Sequence, residues 1–341
     1  MVNLRFGYEV LMNIRSLILY SVLALTAFSC KDQNSQSQVV SQKYIHKYGY
    51  AVSEEEWASK NFPGQVVSTM KDGVVITATY ENHELHGPCT YTYPNSQTVE
   101  KYVMYNGGEI VKEVSYDIQG MPQEERIKLS PTRHSLTLWY SDGAPRSVEE
   151  FASEELLEGQ YFTVLNEVEA RVEKGNGERV MRDAKGTLLF KDDVTAGYTV
   201  KREEFYPSGS PSTITYYKEN KMDGERSTFG PGGEPLSVEQ WQDGMLHGTA
   251  TYFKNGTKYQ EISYEYGKKS GLETFFLDGD SVSHQISWIN DKKHGPEVYY
   301  IDGDEKTSYF WDGREISKSS FNEQKRLDEI LFQVRPESSY R

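Results

Sequence analysis

Apolar and polar residues alternate along much of the chain. In Gln260-Glu261-Ile262-Ser263-Tyr264 and Gln285-Ile286-Ser287-Trp288 the apolar residues fall at every second position, on one side of an extended backbone. This period predicts short, half-buried β-strands. Asp-Gly or Asn-Gly pairs punctuate the runs at Asp142-Gly143, Asp223-Gly224, Asp243-Gly244, Asn255-Gly256, Asp278-Gly279 and Asp302-Gly303. Such pairs adopt positive φ at low cost and suit two-residue turns, so the predicted element is the β-hairpin.

The hairpins recur. An aromatic is followed seven residues later by glycine at Tyr217/Gly224, Trp241/Gly248, Tyr264/Gly271 and Trp288/Gly295. A second aromatic comes five residues on, at Phe229, Phe253, Phe276 and Tyr300, and a second glycine three further, at Gly232, Gly256, Gly279 and Gly303. Successive intervals are 23 or 24 residues in the leading aromatic column. Four columns in register over four units mark a repeat protein. Tyr80 and Gly87 open the series, and Tyr93, Tyr105, Tyr116, Tyr140, Phe151 and Phe162 carry it forward. A lone hairpin is marginal in water, so each unit must stack on the next to bury its aromatics.

The expected fold class is all-β: an elongated single-layer antiparallel sheet of stacked hairpins, with short helical caps. Repeats are expected over 65–162 and 206–318. The stretch 163–205 breaks the aromatic period. It reads either as an irregular insert or as degenerate repeats around Gly175-Asn176-Gly177 and Lys185-Gly186, because 162 to 206 is four times 11. Within 51–64 a short helix is expected, capped by Ser53, with Glu54, Glu55 and Glu56 in its first turn. Residues 319–341 read as a helix and tail. There Leu327, Ile330, Leu331 and Val334 keep helical spacing and suit a cap over the open sheet edge.

The N-terminus has another character. Leu17 to Phe28 is an apolar run behind Arg15, too short for a permanent membrane span but suited to an export signal over 1–29. Met12 is an alternative start. The ending Ala27-Phe28-Ser29-Cys30 resembles a bacterial lipoprotein signal, in which the cysteine after the cut receives a diacylglycerol thioether and a fatty amide. The resemblance makes Cys30 the lipidation site and residues 30–50 its polar tether. Ala27-x-Ser29 also suits ordinary signal cleavage, which would release a soluble protein.

The formal charge is −14, and residues 1–29 contribute +1 (Arg5, Arg15 and Glu9), so a processed chain carries −14 − 1 = −15. Such a surface repels phosphate backbones, which excludes nucleic acid as a partner. No nucleophile elbow, phosphate-binding loop, zinc-helix motif or paired Cys-x-x-Cys occurs. Cys89 reads as a small strand residue. Three of seven histidines, His86, His247 and His294, precede an in-register glycine. Strands ~4.8 Å apart separate such positions by roughly 19 Å over two repeats, too far to share a zinc ion. Turn-lining side chains are expected there, with no metal, no cofactor and no catalytic residue.

Phe253-Lys-Asn-Gly256 and Trp241-Gln-Asp-Gly-Met-Leu-His-Gly248 resemble the bacterial variant of the MORN (membrane occupation and recognition nexus) repeat, in the antitoxin-like group. The likeness runs from Tyr217 to Gly313 and more faintly from Tyr80 to Phe162. It implies a stacked hairpin sheet and links to membranes and protein scaffolding. Gly87, Gly224, Gly248, Gly256, Gly271, Gly279, Gly295 and Gly303 are the repeat glycines. The expected function is a lipid-anchored cell-envelope scaffold, facing the periplasm or cell surface. It binds an unidentified protein partner and meets the bilayer through its anchor. An envelope spacer without ligand is the alternative, and a hydrolase with its site in 163–205 the third.

Overall fold

Two kinds of turn build the fold. The computed structural model describes residues 38–301 and 303–334; the expected signal segment 1–29, the expected lipidation site Cys30 and the tail 335–341 lie outside them. The chain is mostly β, with 26 strands in hairpin order and two helices among the described residues, and every registered strand pair is antiparallel. Two compact units divide the chain between Glu109 and Ile110.

The first kind of turn has two residues, both at positive φ: Asp243-Gly244 (50° and 80°), Tyr266-Gly267 (47° and 80°) and Asp312-Gly313 (49° and 85°). This backbone matches the right-handed twist of the strands it joins. The second kind ends on one residue at positive φ. In the turn after Trp139, Gly143 N–H donates to Tyr140 O at 2.9 Å and Tyr140 N–H to Ala144 O at 2.9 Å, with Gly143 at φ 84°. Gly120, Gly186, Gly209 and Gly233 fill the same slot. In the repeat before Trp241, therefore, Gly233 (φ 87°) makes the turn where Gly232 was expected.

Asp223-Gly224 is not a turn. It lies inside the strand Lys221–Phe229, with Gly224 at φ 106° opposite Trp241. Gly87, Gly248, Gly271 and Gly295 are likewise inside strands at φ 94–115°, opposite Tyr105, Tyr264, Trp288 and Phe310. Register with the preceding strand slips at these points, between Ala78 and Tyr80, Ile262 and Tyr264, and Ile286 and Trp288. Each register glycine thus answers a β-bulge, where positive φ favours glycine.

The bulge turns the two preceding residues toward the next two-residue turn, whose outward N–H groups need acceptors. The carbonyl two before the glycine takes one: Gly108 N–H donates to Leu85 O, Gly244 to Met222 O, Gly267 to Leu246 O and Gly313 to Lys293 O, at 2.8–2.9 Å. The side chain just before the glycine takes the other. His86 Nδ1 accepts from Gly107 N–H (3.3 Å), Asp223 Oδ2 from Asp243 (3.2 Å) and His294 Nδ1 from Asp312 (3.4 Å). Glu158 and Asn176, before Gly159 and Gly177, do the same for Lys174 and Ala196. This latch stacks hairpin on hairpin.

The same latch runs through 163–205. That stretch forms the strands Val168–Glu173, Asn176–Arg182, Leu188–Thr195 and Tyr198–Phe205. Its turns use Lys174-Gly175 and Ala196-Gly197 in the two-residue slot, and Asn166 and Gly186 in the other. The sheet curls here. Ser141 N–H donates to Ala184 O and Leu156 N–H to Gly197 O, closing a small core of Leu156, Tyr161, Ala170, Val172, Val180 and Val194.

In the first unit, the strand Val39–His46 pairs with Gly64–Met70, so part of the expected tether 30–50 belongs to the sheet. Its apolar Val39 and Ile45 and its aromatic Tyr44 explain why. The helix Glu54–Lys60 begins at Ser53, whose Oγ accepts Glu56 N–H, and its Trp57 packs on Tyr44 (5.6 Å between ring centroids) and Tyr80 (6.3 Å). In the second unit the helix Lys318–Val334 sets Phe321 against Tyr309 and Trp311. Leu327, Ile330 and Leu331 stay exposed at 44–62%, so the apolar stripe does not cover the sheet edge as expected.

Candidate functional site

Two places gather side-chain chemistry, and both lie in the second unit. One is a groove of about 380 Å³ beside Trp241, lined by Lys218, Glu219, Asp223, Trp241, Asp243 and His247 among others. Local structure sets its walls. The strands Pro211–Lys218 and Lys221–Phe229 bring Lys218 and Glu219 to a turn, and the latch holds Asp243 against Asp223. Trp241 stands opposite Gly224, which offers no side chain to cover it. The indole is fixed: its Nε1–H donates to Glu239 Oε2 at 3.0 Å, and that carboxylate pairs with Arg226 at 3.1 Å.

His247 closes the groove and departs from its repeat siblings. Its backbone N–H donates to Gln240 O, and its ring lies 5.1 Å from that of Tyr266, yet its buried Nδ1 has no hydrogen-bond partner. His86 and His294 use the same atom to hold the next turn. The three histidines are thus turn-lining side chains of one repeat position. Among the described residues no three His, Cys, Asp or Glu side chains gather as a metal site would require. No helix among them is long and apolar enough to cross a membrane.

The second place is a buried ion cluster in the curled segment. Glu149, Tyr161 and Asp192 are fully buried. Glu149 Oε1 accepts from Arg179 Nε (2.6 Å) and Tyr161 Oη (2.8 Å), and Oε2 from Arg179 Nη2 (3.1 Å). Asp192 accepts from Arg202 Nε (2.7 Å) and Nη2 (2.8 Å), with Arg179 Nη1 at 3.6 Å. The register places Arg179, Asp192 and Arg202 side by side on neighbouring strands. Phe190 lies under the Arg202 guanidinium at 4.1 Å.

Burial, then the Glu149 charge, push the Tyr161 hydroxyl far above its ordinary range. Burial works against the Arg179 charge, but Glu149 outweighs it and holds the guanidinium ionised. Each carboxylate is chelated by a guanidinium and closed to solvent. An acid–base catalyst needs a proton-accepting atom within reach of substrate, and this cluster offers none. It is a clasp, made costly to open because breaking it strands buried charge.

Buried acids recur at the position two after the register glycine. Glu273 pairs with Lys269 (3.0 Å) and accepts from Gln260 (2.6 Å). Glu297 pairs with Lys293 (2.8 Å) and His284 (3.0 Å). Burial raises the Glu297 carboxyl, yet these partners hold it below the usual range. Cys89 and Ala250 take the same position, both buried, as apolar fillers.

Gly256, Gly279 and Gly303 sit in turns at φ 76–89°. Neither the groove nor the cluster was evident from the sequence. The cluster's members are scattered from 149 to 202 across a stretch without aromatic period. The groove depends on which residue faces Trp241, which only strand register reveals.

Residues 78–98 and 240–258 match the family model of the MORN repeat. The second stretch contains Trp241, Gly248 and Gly256, with the groove's Asp243 and His247. No curated protein matches the chain. Among solved structures, the crystal structure of TcdB2-TccC3-Cdc42 is similar over 73% of this chain at 12% identity. This chain spans 18% of that one, and the TM-score of 0.18 is too low to relate the folds.

Proposed function

We propose that the chain is a protein-binding repeat module held at the bacterial cell envelope by a lipid on Cys30. The observation that carries the binding half is the groove, an open cleft with an indole held by Glu239 and polar walls. Arrays of stacked repeats present side chains at fixed intervals, and function in such folds is commonly binding along one face. The anchoring half rests on the apolar run Leu17 to Phe28 followed by Ser29-Cys30. The acidic surface favours a partner with basic groups.

Two measurements test the halves separately. Intact mass of the membrane-extracted protein is expected to show a chain beginning at an acylated Cys30, and Cys30→Ala is expected to abolish its partition into detergent. A chain beginning at unmodified Cys30, or retaining Met1 or Met12, contradicts the anchor. For binding, a photo-crosslinking amino acid replaces exposed Gln242 in the groove or exposed Leu277 elsewhere. A discrete protein adduct from position 242, absent from position 277, is the expected result in cells. Adducts from neither position would instead favour an envelope spacer.

A further inference from the structure

We propose that the groove beside Trp241 takes the cationic side chain of a lysine or arginine on the protein partner. The inference deepens the protein-binding reading and rests on it. It comes from comparing three repeats that solve the same local problem differently.

In two repeats the chain supplies the cation itself. Two residues before the register glycine stands a lysine, directly opposite the preceding aromatic: Lys269 faces Tyr264, and Lys293 faces Trp288. Each reaches across to the ring on the following strand. Lys269 Nζ lies 4.8 Å from the Trp288 centroid, and Lys293 Nζ 4.8 Å from that of Phe310. An ammonium within about 6 Å of a ring face is attracted by the ring's quadrupole.

In the third repeat the residue at this register is Met222, opposite Tyr217. Its ring on the following strand is Trp241, opposite Gly224 as Trp288 is opposite Gly271. Among the described residues no ammonium or guanidinium lies over Trp241. The surroundings change in the opposite sense. Glu219, Asp223 and Asp243 line the groove, whereas the same repeat positions around Trp288 hold Tyr266, Ser270 and Asn290. None of these three positions beside Trp288 is a carboxylate, and only one beside Phe310 is, Asp312.

Two lysines of the chain are close, and neither fills the seat. Lys218 lines the groove but is exposed, and Lys221 pairs with Asp243 at 3.5 Å with both side chains exposed. The lining therefore keeps an excess of negative charge around an aromatic ring. The Trp241 ring is oriented toward it by the hydrogen bond from Nε1–H to Glu239. Aromatic and carboxylate groups together recognise a primary ammonium or a guanidinium, and an acidic protein draws such groups from basic partners.

The test uses the full chain labelled with fluorotryptophan, whose Trp241 fluorine resonance is assigned through Trp241→Phe. Pentalysine and pentaarginine are titrated, with pentaglutamate as control. The Trp241 resonance is expected to move with the cationic peptides, to stay fixed with pentaglutamate, and to lose its response at high salt. Trp288, already covered by Lys269, is expected to stay fixed throughout. Met222→Lys supplies the missing cation and is expected to weaken pentalysine binding about tenfold, the scale of one cation–π contact of ~1.4 kcal/mol. Asp223→Asn keeps a side-chain acceptor for the Asp243 N–H but removes the charge, and is expected to weaken binding with the melting temperature little changed. A Trp241 resonance unmoved by either cationic peptide overturns the proposal, as does unweakened binding by folded Met222→Lys and Asp223→Asn. If the adduct from position 242 survives in such a case, protein binding stands and the cation seat alone is wrong.

Discussion

Arg179→Met is expected to destabilise the protein by about 3–5 kcal/mol, the cost of leaving buried charge without its partner. Arg179 donates to Glu149 through two nitrogens and stands 3.6 Å from Asp192, and both carboxylates are fully buried. Urea denaturation followed by circular dichroism measures the loss. The double variant Glu149→Gln/Arg179→Met is expected to lose less than the two single losses added together, because it removes the stranded carboxylate along with the guanidinium. Strict additivity would mean the pair is not coupled, and the clasp would lose its role.

The second large effect separates two kinds of glycine. In Gly295→Val the new Cβ would sit 2.8 Å from Ser287 Cβ, at a φ of 115° that a branched side chain resists. In Gly303→Val the φ of 89° is also unfavourable, but a Cβ would meet open space. The turn substitution is expected to cost about 1–2 kcal/mol from the backbone alone. The strand substitution adds the overpacking cost, ~1–3 kcal/mol. Denaturation midpoints should fall about twice as far for Gly295→Val. Equal losses would show that the bulge opposite Gly295 imposes no closer packing than a turn does.

That distinction also marks how far the sequence could be read. Spacing alone identifies Gly224, Gly248, Gly271 and Gly295 as one column, and alternation alone identifies the strands between them. Spacing cannot say what a glycine does. Asp223-Gly224 has the composition of a turn, yet it sits in a strand, because the chain has already turned at Glu219-Asn220. Composition misleads likewise at the N-terminus, where the polar stretch before His46 hides Val39, Tyr44 and Ile45 on a paired strand.

The stretch 163–205 illegibly carries the same period because its aromatics are replaced. Val172, Val180 and Val194 fill a core created by the curl, and Arg179, Asp192 and Arg202 take the central positions. A period defined by aromatics cannot follow that exchange. What does persist is the polar residue before the glycine, Glu158 and Asn176, serving the next turn. The Met222 substitution was readable in principle, since Lys269 and Lys293 stand at the same repeat position. Its meaning required the register that sets those lysines across Trp288 and Phe310.

One deletion experiment tests the central claim, that stacked, interchangeable hairpins present the groove. Removing residues 264–287 takes out one full unit and joins Ser263 to Trp288. The two-residue turn then falls at Asn290-Asp291 in place of Tyr266-Gly267, and every column stays in register. Removing only 264–275 takes out one turn and most of one strand, which reverses strand direction and puts turn residues where strands should pair. Circular dichroism and melting are measured on both, together with the response of Trp241 to pentalysine. The larger deletion is expected to fold with native-like β signal, a lower melting temperature and an intact Trp241 response, as nearest-neighbour stacking implies; the smaller is expected to lose all three. Equal collapse of both, or better survival of the smaller deletion, would contradict the account.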